Sequence, residues 1–132
     1  MQRLKNIVRL SLVFLVLTAF TGNTELQLTE AHALEGTWAI DLRPTPDSDP
    51  YLQKLTVKIR KDGSFSGSFY GSRFRNGQTN TDWALLYFAF RTEDKNNVYF
   101  HSGYLKDGEL HGMSYCPERK FTTPWSGKRL KD

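Results

Sequence analysis

A single cysteine, Cys116, leaves this 132-residue chain no intramolecular disulfide, so the fold must be held by its core. Nine Phe, six Tyr and three Trp are enough to build one. No apolar run is long enough to cross a bilayer. Leu10 to Phe20, interrupted only by Ser11 and Thr18, is about half of the roughly 20 residues a spanning helix needs. No basic stripe is present either. From Leu34 onward 15 Lys and Arg face 12 Asp and Glu, a net +3, interleaved along the chain as on a solvated surface. Nucleic-acid binding would ask for a concentrated patch, so that class is excluded. The chain also lacks a sustained helical stripe, a P-loop, a Ser-His-Asp order and a metal-binding helix motif. Asp41, Asp82, Asp94 and Asp107 are scattered over turns and strand ends, and no spacing positions them for acid–base work. The expectation is a protein without catalytic residues, metal or cofactor.

What is present begins with a leader. Arg3, Lys5 and Arg9 precede the short apolar run, the pattern of a secretory signal peptide, which predicts an exported protein, periplasmic or secreted. Residues 1–22 are assigned to it, with the cut as late as residue 33 if Ala31-His32-Ala33 is the cleavage site. No Cys follows the run to serve as a lipid-anchor site, and no stable membrane span is expected after cleavage. Residues 23–34 read as a polar lead-in with neither strand alternation nor a helical face, and residues 35–132 as one domain.

Within that domain one motif is written twice. Lys61-Asp62-Gly63-Ser64-Phe65-Ser66-Gly67 returns as Lys106-Asp107-Gly108-Glu109-Leu110-His111-Gly112. Asp-Gly between alternating segments is a hairpin signal, and the glycine four residues on marks a strand position where a side chain would crowd its neighbour. In the first hairpin a three-residue loop pairs Ile59 with Phe65, Val57 with Gly67 and Leu55 with Phe69. A one-residue slip would exchange core and solvent faces. The same register applied to the second hairpin pairs Phe100 with Ser114, Ser102 with Gly112 and Tyr104 with Leu110. Thr37 to Leu42, Leu52 to Arg60, Trp83 to Phe90 and Phe121 to Leu130 read as further strands, the last with Pro124 near a kink or edge. Ser72 to Asp82 reads as a long loop or an irregular short strand, and three prolines stiffen Arg43 to Tyr51. The fold class is therefore all-β: a single antiparallel up-and-down meander barrel of seven or eight strands, behind an N-terminal signal peptide.

Here the chain resembles the calycins, the group of lipocalins, fatty-acid-binding proteins and avidins. Gly36-Thr37-Trp38 is similar to the G-x-W that opens the first strand in lipocalins and avidins, and Arg129 to the late arginine that in lipocalins packs across that tryptophan. Trp125-Ser126-Gly127-Lys128-Arg129 matches the Trp-x-x-x-Arg spacing near the avidin C-terminus. The resemblance implies a lipocalin-like barrel with a site at its mouth. Ile40 stands where avidins carry a biotin-contacting Asn, so biotin binding is not implied. The chain also resembles small exported bacterial proteins of unassigned activity, which lend it no functional residues.

His101 and His111 fall on one face in the assumed register, with Glu109 as the only third ligand at hand, too few for zinc. They read as surface imidazoles beside Tyr99 and Tyr115. Cys116 reads as an inert, partly buried thiol. Two loops remain as a candidate mouth: Arg43 to Tyr51, and Ser72 to Trp83. Tyr51, Arg73, Arg75, Asn80, Asp82 and Trp83 supply aromatic surface, hydrogen bonds and positive charge, suited to a small amphipathic or anionic ligand. The alternative is an interior filled by Phe65, Phe69, Phe100 and Tyr104, leaving an interaction or envelope-structural module.

Overall fold

Alternation of apolar and polar residues curls this chain into a ring. A computed structural model describes residues 22–131. Residues 1–21 and 132 lie outside the described residues, and with them all but the last residue of the expected signal segment. Eight strands follow in order: β1 (Gly36–Asp41), β2 (Leu52–Ile59), β3 (Phe65–Phe69), β4 (Ser72–Asn80), β5 (Leu86–Glu93), β6 (Val98–Lys106), β7 (Glu109–Cys116) and β8 (Phe121–Arg129). Each pairs antiparallel with the next, and β1 pairs with β8 through Trp38↔Arg129 to Asp41↔Ser126. The barrel is closed and has no free sheet edge. Pro124, expected near a kink or an edge, sits inside the last ladder, opposite Met113.

The first hairpin has the expected register, Ile59↔Phe65, Val57↔Gly67 and Leu55↔Phe69. Gly63 takes a φ of 83°, and the Asp62 carboxylate accepts from the Ser64 amide at 3.0 Å, fixing the three-residue loop. A side chain at Gly67 would come within 1.8 Å of the Thr56 carbonyl oxygen, so the close approach is real.

The second hairpin differs. Lys106 pairs with Glu109, leaving a two-residue turn in which Asp107 and Gly108 both have positive φ, 51° and 76°. That is the mirror-image turn matching strand twist. The residue after glycine is the difference: where Ser64 hydrogen-bonds back into its loop, Glu109 joins the ladder and pairs across to Lys128. Phe100 therefore pairs with Tyr115 and Tyr104 with His111, one step from the expectation, and every side chain on β6 changes face. Phe100 is 47% exposed on the outside, and Tyr104 stacks there on His111. His101 points inward. The interior favours this arrangement because Phe88 occupies the space beside Gly103, where a Cβ would lie 2.9 Å from its ring.

Two other segments are more ordered than their sequences imply. Ser72 to Asn80, expected as a loop or an irregular short strand, is a nine-residue strand with a bulge against β3 between Phe65 and Gly67, which makes the count eight. The polar lead-in folds as a helix, α1, over residues 22–32. Its few apolar contacts come from Leu28, Ala31 and the following Leu34, the last two buried. No helix among the described residues is long and apolar enough to cross a membrane.

Candidate functional site

The two ends of the barrel are built differently. At the end where β1 starts and β8 finishes, Trp38 is fully buried and its indole N–H donates to the Leu34 carbonyl at 3.0 Å. The Arg129 guanidinium lies 4.2 Å above the Trp38 ring and donates to the carbonyls of Glu35 and Ala33. The Glu35 carboxylate accepts from the Ile59 amide at 2.8 Å. α1 is tied to the β4–β5 loop by Gln27, whose amide donates to Asp82 at 2.8 Å. This end is closed by the Trp–Arg stack that the opening and closing motifs predict.

The opposite end carries the connections β1–β2, β3–β4, β5–β6 and β7–β8, and it is open. A cavity of about 440 Å³ enters there, within the roughly 300–1,000 Å³ typical of small-molecule sites. At its rim the Tyr51 and Tyr70 hydroxyls hydrogen-bond each other. At the same rim, Arg119 donates to the Tyr99 hydroxyl at 3.1 Å and packs 5.2 Å from the Phe121 ring centre. Tyr99 donates in turn to Asp94 at 3.2 Å. Backbone amides of Asn96 and Asn97 also point at Asp94 and hold its carboxyl below the usual range.

The floor is a polar cluster set in an aromatic core. His101 Nε2 lies 2.8 Å from Thr92 Oγ1, and its Nδ1 lies 2.7 Å from Ser114 Oγ. Ser114 Oγ also accepts from the Trp125 indole N–H at 2.9 Å. Phe69 meets the imidazole edge-on at 4.9 Å, and Phe90 stacks against it at 4.6 Å. With only 5% of its surface exposed and no carboxylate beside it, His101 titrates at about 4, pushed down by burial. Gly112 makes room for the Trp125 ring, which a Cβ there would approach to 2.3 Å. His101 and Ser114 form the hydrogen-bonded pair that a serine nucleophile uses, but the third position is a threonine and the imidazole is a weak base at neutral pH.

Of the six residues expected at the mouth, Tyr51 lines it. Arg73 and Arg75 stand exposed on the outside of β4, on either side of inward Phe74. Asn80 and Asp82 lie at the closed end, lining a smaller recess of about 280 Å³ beside α1, and Trp83 is 72% exposed. The second expected loop is mostly β4 itself, which begins at the mouth with Ser72 and carries Asn80 to the opposite end of the barrel. Thr92, His101, Ser114 and Arg119 were not expected there; the two-residue turn at Asp107-Gly108 turns His101 inward, onto the face that carries Ser114. His101 and His111 lie on opposite faces of the wall, and the described residues hold no group of three metal-ligating side chains. Cys116 is fully buried on the inner side. No protein-family model, curated protein or solved structure gives a significant match to this chain.

Proposed function

We propose that this chain is an exported, non-catalytic, lipocalin-like barrel that holds a small amphipathic molecule in its open mouth. The observation carrying this reading is the asymmetry of the two ends. Below the cavity the core is packed; above it the rim offers aromatic walls, the Arg119 cation and the Tyr51–Tyr70 pair. A ligand with an apolar body fits the walls, and an anionic group fits beside Arg119. The reading against catalysis rests on His101, whose low basicity leaves Ser114 without a partner to take its proton. Export rests on the basic and apolar leader. A cut near residues 19–21 suits this fold better than one at 33, since Ala31 contributes to the buried core.

A second reading has its own support. The outer faces of β5, β6 and β7 present Tyr87, Phe100, Met113 and Tyr115, each 42–51% exposed, an apolar wall suited to a protein partner. Native mass spectrometry of the protein purified from its own host separates the two. A monomer carrying a small added mass supports the ligand reading. A bare chain recovered only in complexes with itself or another protein supports the second.

A further inference from the structure

The floor of the cavity has one hydrogen too many. Four side chains meet there, and each brings one donor when the imidazole is neutral: Trp125 N–H, Ser114 O–H, Thr92 O–H and one N–H of His101. Only three contacts join them. Trp125 can only donate, so its proton always goes to Ser114 Oγ. If His101 carries its proton on Nδ1, it donates to Ser114 and accepts from Thr92, and the Ser114 hydroxyl proton is left over. If it carries the proton on Nε2, it donates to Thr92 and accepts from Ser114, and the Thr92 proton is left over. Either tautomer leaves one hydroxyl proton uncommitted, and Thr92 and Ser114 both line the cavity.

The charges around this floor narrow what can accept that proton. No cation sits beside it; the nearest at the mouth is Arg119, already engaged with Tyr99 at the rim. A carboxylate at the floor would lose its hydration with no charged partner. An ammonium would fare no better, since Asp94 is at the rim and occupied by two backbone amides and Tyr99. We infer that the cavity selects molecules whose inner end is a neutral hydrogen-bond acceptor, such as a ketone, ester or amide oxygen, which takes the surplus proton of Thr92 or Ser114. Any charged group of the ligand stays at the rim. This rests on the mouth being a binding site and adds which way round the ligand enters.

Three probes of one shape test it: 2-acetylnaphthalene, 2-isopropenylnaphthalene, in which CH₂ replaces the carbonyl oxygen, and 2-naphthoate. Titration calorimetry should show the ketone binding about tenfold tighter than the alkene, the scale of one net hydrogen bond. ¹⁵N spectra of His101 should collapse to one tautomer with the ketone and stay unmoved by naphthoate, whose carboxylate faces out. In Thr92→Val the one hydroxyl left is that of Ser114, so the ketone should keep its advantage with the His101 proton on Nδ1; in Ser114→Ala only Thr92 is left, and the ketone should keep its advantage with the proton on Nε2. Thr92→Val leaves the Trp125–Ser114 bond in place, so it keeps the test alive if Ser114→Ala does not fold. Equal affinity for ketone and alkene, or a naphthoate that binds and shifts His101, overturns the acceptor rule while leaving the mouth as a binding site. Failure of all three to bind overturns both.

Discussion

The closed and open ends of this barrel use the same residue types to opposite effect. At the closed end an exposed arginine lies over a buried tryptophan and spends its donors on backbone carbonyls, so the charge caps the core ring. At the open end Arg119 meets Tyr99 and Phe121 at the edge of solvent, and the polar groups hydrogen-bond one another around a void. The lesson is that hydrogen bonding to the backbone locks an end, whereas bonding between side chains leaves room to bind. Stability should therefore reside at the closed end and recognition at the open one.

The largest effect should come from the closed end. Trp38→Ala removes a fully buried ring and should cost about 3–5 kcal/mol by denaturant unfolding. A loss under 1 kcal/mol would mean that this end is not packed as described. Next is acid. His101 titrates at about 4 in the folded chain against 6.5 unfolded, so the unfolded state binds the proton first as pH falls. Stability is complete above about pH 6.5 and declines down to about pH 4, by about 3 kcal/mol from this group. His101→Gln should flatten that slope in urea titrations run across the window, and an unchanged slope would place the acid sensitivity elsewhere.

Smaller effects sharpen the contrast. Arg129→Ala loses the stack on Trp38 and two hydrogen bonds to carbonyls, about 2 kcal/mol together. Arg129→Lys should recover less than half, because an ammonium cannot stack and fork at once. Full rescue by lysine would reduce the closure to simple charge. At the open end Tyr51→Phe, which breaks the pair with Tyr70, should change stability by less than about 0.5 kcal/mol. A thermal melt showing a larger loss would make the rim structural and erase the difference between the ends.

Much of this frame is legible in the chain. The first hairpin could be set because Leu55, Val57 and Ile59 on one strand and Phe65 and Phe69 on the other admit one face-to-face match. G-x-W and Arg129 also meet as the resemblance implies. β6 offered no such constraint. Phe100 and Tyr104 alternate with His101 and Gly103, and aromatic rings look at least as suited to the interior as an imidazole. Only the turn type at Asp107-Gly108 decides, and that one step hid the floor of the cavity. β4 was hard to see for a different reason: its inner face holds just Phe74 and a glycine tucked under Phe65, with arginines outside. α1 escaped because its buried side is two small apolar contacts, and the barrel end, not its own pattern, holds it in place.

The three tryptophans offer the most direct test of the asymmetry. Each indole N–H gives its own ¹H–¹⁵N resonance: Trp38 reports the closed end, Trp83 the exposed loop beside α1, and Trp125 the cavity floor through Ser114. Titrating 2-acetylnaphthalene should move the Trp125 signal and leave those of Trp38 and Trp83 in place. A shift of Trp38 or Trp83 with Trp125 unmoved would put binding at the other end of the barrel and contradict the account.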